Sequence, residues 1–115
     1  MPILTTEQAI AHCRADPVAD AQLLELYLDA ALDTAQDYLQ RKLYESKEAL
    51  DAAVLADEAG EMPMVASSSV KAAILLICGH LFENRETVVV GASAAVSLPM
   101  GAYDLLRPHR RSFGV

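Results

Sequence analysis

Apolar and polar residues follow one another along this chain at the three- and four-residue spacing of α-helices, which predicts a small, mainly α-helical bundle. From residue 18 to about 42, Leu23, Leu24, Tyr27, Leu28, Ala31, Leu32, Ala35, Tyr38 and Leu39 fall on one side. Asp20, Glu25, Asp29, Asp33 and Asp37 fall mostly on the other, so this stretch reads as a long amphipathic helix. A second long helix is predicted from residue 70 to about 86. Its interior, AAILLICGHLF, is apolar nearly all round, as suits a central helix packed on several sides, and Ser67–Ser69 supply its cap.

Shorter helices complete the bundle. Thr5 or Thr6 caps one that runs to about Arg14, with Glu7 well placed in its first turn. Asp16-Pro17 reads as a stop and a fresh start, because the residue before proline is biased away from the helical region. Ser46 to Ala59 is a weaker helical stretch closed by Gly60 as its C-cap. Met62 to Ala66 reads as connector. After Arg85 the pattern changes: Thr87-Val88-Val89-Val90 is strand-like, Gly91-Ala92-Ser93 is a turn and Ala94 to Leu98 a return strand. A candidate β-hairpin therefore spans about 87–98. Pro99 begins a last short helix to about Arg107, which Pro108 ends. A basic tail from about 108 is expected to be flexible.

A chain of 115 residues forms one domain, 1–115, since separate cores need about 100–200 residues each. With 53% apolar residues it is too hydrophobic for intrinsic disorder. Charge adds something that periodicity does not. The net charge is −7, which argues against a general nucleic-acid binder. Met1 to Glu61 holds thirteen acids against four bases, and Met62 to Val115 three against five. That asymmetry suits head-to-tail association of copies. Residues 1–9 lack the basic and apolar regions of a secretory signal, and the run from Ala72 to Phe82 is well short of the ~20 residues a membrane span needs. These features predict a soluble protein, intracellular when made.

The search for chemistry returns little. Neither GxxxxGK[ST] nor GxGxxG occurs, so no phosphate cradle or nucleotide cofactor is indicated. CxxC and HExxH are also absent. Cys78 and His80 lie roughly 200° apart on a helix and do not chelate one metal together. Adjacent His12 and Cys13 diverge by about 100°, poor geometry for a nucleophile pair. Cys13 and Cys78 read as small hydrophobes within apolar helical patterns. Asp57, Glu58 and Glu61 lack the alternation of a calcium loop and read as a solvated helix end. The expectation is no catalytic, cofactor or metal site.

Three ordered segments carry a resemblance to a known family: AHCRAD with DAQLLELYLDAA (Ala11 to Ala31), VKAAILLICGHLFENRETVVVGA (Val70 to Ala92) and LPMGAYDLLRPHR (Leu98 to Arg110). Together they resemble the head–tail connector (portal adaptor) proteins of long-tailed bacteriophages, over nearly the whole chain and least from about 43 to 69. Two departures stand out: Leu81-Phe82 replaces a pair of larger aromatics, and Cys13 stands where leucine is usual.

The resemblance implies a structural virion protein, one subunit of a homo-oligomeric ring at the head–tail junction, assembled in the host cytoplasm. Its partners would be the portal protein and the next neck or tail protein, with DNA passing through the channel without sequence-specific binding. A lone hairpin is marginal in water, so Val88, Val89, Val90, Val96 and Leu98 are subunit-interface candidates. Glu83, Arg85 and Glu86 at the end of the central helix join them. Arg107, Arg110 and Arg111 are candidates for docking on the portal or a neighbouring subunit. The alternative from another class is a small acidic helical adaptor or regulator that binds a basic protein; a hydrolase with an unrecognised carboxylate site ranks well behind both.

Overall fold

A computed structural model of the chain describes residues 3–60, 62–83 and 100–110. Helix α1 (Thr6–Cys13) opens with a capping box, in which Thr5 Oγ1 accepts from Gln8 N at 3.2 Å and Gln8 Oε1 accepts from Thr5 N at 2.8 Å. It ends where Arg14 turns left-handed (φ +53°), with Ala15 N donating back to Ile10 O at 3.1 Å.

The following helix, α2 (Ala21–Leu39), starts three residues later than the apolar pattern suggests. The cause is local. Asp16 Oδ1 accepts from Val18 N and Ala19 N, both at 2.8 Å, and closes a separate turn; Val18 is left exposed. Those two backbone bonds hold the Asp16 carboxyl below its ordinary range. Leu24, Tyr27, Leu28, Ala31, Ala35 and Leu39 of α2 are buried, and Glu25, Asp29, Asp33 and Asp37 form an exposed row on the far side. The helix also stops before residue 42. Gln40 is left-handed (φ +59°), and Gln36 Oε1 accepts from Leu43 N at 2.9 Å, steering the chain away.

A feature absent from the sequence reading follows. Strand β1 (Leu43–Tyr44) pairs in parallel with β2 (Met64–Val65), Leu43 opposite Met64 and Tyr44 opposite Val65. The crossover between them carries α3 (Lys47–Leu55), a short form of the helical connection that parallel strands require. Ser46 Oγ caps α3 by accepting from Ala49 N at 3.2 Å. Its end departs from expectation: Asp57, not Gly60, takes the left-handed position after the helix (φ +59°), and Glu58 N donates to Ala53 O at 2.9 Å. None of the residues of α3 is buried.

Helix α4 (Ser68–Glu83) is the centre of the bundle. Ser67 Oγ accepts from Val70 N at 3.4 Å at its start. Val70, Ala73, Ile74, Ile77 and Cys78 are buried, while Leu75, Leu76, Leu81 and Phe82 pack against the core from its flanks. It touches α1, α2 and α5 (Met100–Leu106), whose Ala102 and Leu106 are buried against it. A 3₁₀ turn, Arg107–His109, closes the described chain. Pro108 has no N–H to offer Asp104, so the α-helical ladder stops there. The two long helices and the small helical bundle expected from the sequence are present, with α2 and α4 packed together. The candidate hairpin at about 87–98 lies outside the described residues.

Candidate functional site

The described candidate residues gather at two ends of the bundle. At one end, the C-terminal residues fold back on the exit of α2 and the entry of α4. Arg110 Nε donates to Tyr38 O at 3.0 Å, and its guanidinium sits 5.0 Å from the centre of the Tyr38 ring. Tyr38 in turn meets Tyr103 of α5, centroid to centroid 4.9 Å, at a tilt of 48°. His109 is held from two directions, with its carbonyl accepting from Arg41 Nη1 at 3.2 Å and its Nε2 3.2 Å from Ser69 Oγ.

Arg41 also reaches Met62 O through Nε at 2.7 Å, so one guanidinium ties the loop before β2 to the C-terminal turn. Arg107 is exposed and pairs with Asp104 at 3.2 Å, an i,i+3 pair in solvent that contributes little to stability. The cluster therefore presents Arg107 outward and uses Arg110 partly to fasten the turn to α2. His109 and Arg110 belong to the segment read as a flexible tail, and both are hydrogen-bonded to the body of the protein. Arg111 lies outside the described residues.

At the other end, the C-termini of α1 and α4 frame an open cleft of about 270 Å³, lined by His12, Cys13, Arg14, Gly79, Phe82 and Glu83. Glu83, the last residue of α4, is exposed at its rim. A β-carbon at Gly79 would stand 3.2 Å from His12 Nε2 and 4.0 Å from Cys13 Sγ, so the missing side chain is what lets α1 lie this close to α4. Cys13 is half-buried and Cys78 buried, and each thiol influences the ionisation of the other.

Burial sets how readily the two thiols ionise. Burial pushes Cys78 up to about 12, helped by Cys13 beside it. Burial also raises Cys13, with Cys78 opposing the rise and Glu83 adding to it. Thiolate is the reactive form, so both sulfurs are held in the unreactive state at neutral pH.

The remaining interface candidates, Arg85, Glu86, Val88, Val89, Val90, Val96 and Leu98, lie outside the described residues. Sequence reasoning missed Arg41, Tyr38 and Ser69 as members of the C-terminal cluster. Only a basic residue at the foot of an acidic helix hinted at Arg41. Among the described residues no group of three or more His, Cys, Asp or Glu is placed to hold a metal ion, and no helix is long and apolar enough to cross a membrane.

Comparison with known proteins gives one informative result. The model of the family described as phage gp6-like head–tail connector protein matches residues 4–110. No curated protein and no solved structure matches the chain.

Proposed function

The chain belongs to the phage gp6-like head–tail connector family, and on that premise we propose that it is a structural virion subunit that closes with its own copies into a ring between the capsid portal and the tail. The family match over residues 4–110 carries this reading. The ring extends the DNA channel away from the head and offers its far face to the next neck or tail protein. Its work is binding and shape, with no catalytic step. The subunits assemble in the host cytoplasm and remain at the head–tail junction of the virion.

One feature of the bundle supports this reading. The exposed acids of α2 and the basic C-terminal turn lie on separate elements, so head-to-tail packing of copies can bring opposite charges together. In this reading Val88, Val89, Val90, Val96 and Leu98, with Glu83, Arg85 and Glu86, supply the contact between neighbours. Arg107, Arg110 and Arg111 supply the contact to the portal or the adjacent subunit. Three arginines make too small an electrostatic footprint to hold DNA, which passes through unread.

The docking role is tested in a phage that carries Arg107→Ala, Arg110→Ala and Arg111→Ala together. Electron microscopy of the lysate is expected to show filled heads and separate tails in excess over whole particles. Normal head–tail joining would remove the arginines from the docking surface.

A further inference from the structure

We propose that Cys13 and Cys78 are a disulfide-forming pair that staples α1 to α4 once the protein leaves a reducing environment. Two observations bring the two cysteines to the same region of the α1–α4 packing. Cys13 Sγ lies 4.0 Å from the position of a β-carbon on Gly79, the neighbour of Cys78, and both cysteines belong to the same packed cluster. The helices that carry them pack against each other, and Gly79 removes a side chain that would stand between them. A disulfide needs Cα atoms within about 7 Å and facing β-carbons. The mutual influence of the two thiols on ionisation agrees with this placement.

The chemistry closes with hydrogen peroxide as oxidant. Cys13, the half-exposed member beside the cleft, attacks the peroxide. An S–O bond forms, the O–O bond breaks, and the departing hydroxide leaves as water with the thiol proton. Cys78 then attacks the Cys13 sulfenic sulfur; the S–S bond forms, the S–O bond breaks, and hydroxide leaves as a second water with the Cys78 proton. Each sulfur loses one electron and one peroxide becomes two waters. Both thiols are held protonated, so the reaction is slow at neutral pH and quickens as pH rises.

In a glutathione-buffered compartment the pair stays reduced, and outside one it closes. The link would join residues distant in sequence and so restrict the unfolded chain strongly.

The test uses the purified full-length chain, treated with hydrogen peroxide at mildly alkaline pH and then unfolded for thiol titration and peptide mapping. Expected results are loss of both titratable thiols, a Cys13–Cys78 cross-linked peptide, and a thermal midpoint raised by roughly 10 °C and restored by dithiothreitol. Cys13→Ser, at a half-exposed site that keeps the fold, should show no rise. Thiols that persist, covalent dimers through Cys13, sulfinic acid without a cross-link, or an equal rise in Cys13→Ser would each overturn the proposal.

Discussion

Helices α3 and α4 are each capped by a serine hydroxyl, Ser46 for one and Ser67 for the other, and each is built largely of alanine and larger aliphatic residues. Their fates differ. Helix α4 buries Val70, Ala73, Ile74, Ile77 and Cys78 among three other helices, whereas α3 buries nothing and carries Val54 and Leu55 into solvent. Caps and helix-forming residues are enough to make a helix. An apolar surface broad enough to meet several neighbours is what makes one the core. Helix α3 is held by its ends instead, through the paired strands on either side of it.

The largest difference between the two helices is expected at Ile77, which is 1% exposed. Ile77→Ala should lower the unfolding free energy by about 2–5 kcal/mol in urea titration, the cost of a cavity in a packed interior. A loss below about 1 kcal/mol would mean that α4 is not the packed centre. Removing the caps sharpens the contrast further. Ser67→Ala should cost about 1 kcal/mol and shift the global midpoint, because α4 unfolds with the core. Ser46→Ala should instead speed amide exchange within α3 and leave the midpoint nearly unchanged, because an unburied helix opens on its own. The smallest effect is expected at Leu55, 89% exposed, where Leu55→Ser should change stability by less than about 0.5 kcal/mol.

Much of this architecture was legible in the chain. The row of Leu24, Tyr27, Leu28, Ala31, Ala35 and Leu39 marked the buried side of α2, and the apolar interior of the central helix marked α4 as the hub. Helix ends were less legible because side chains competed for backbone groups. Asp16 took two N–H groups that the pattern assigned to α2, and α3 ended early at Leu55, with Asp57 turning left-handed ahead of Gly60. The paired strands escaped notice because two residues are too few to display an alternation.

The candidate sites were legible only in part, for a different reason. Arg107 and Arg110 stood out as charges near the end of the chain, but what Arg110 rests on, Tyr38, is 72 residues away. The approach of His12 and Cys13 to α4 depends on Gly79 lacking a side chain, and nothing in either local pattern announces it. Periodicity reports which way a side chain faces; it does not report what stands opposite.

The central claim is that this bundle is a ring subunit, and the most direct measurement is the mass of the purified protein in solution over a wide range of concentration. Native mass spectrometry or light scattering should find one discrete closed oligomer, or growth towards it as concentration rises. A monomer or dimer that goes no further at any concentration would contradict the account and favour an adaptor that binds a basic partner.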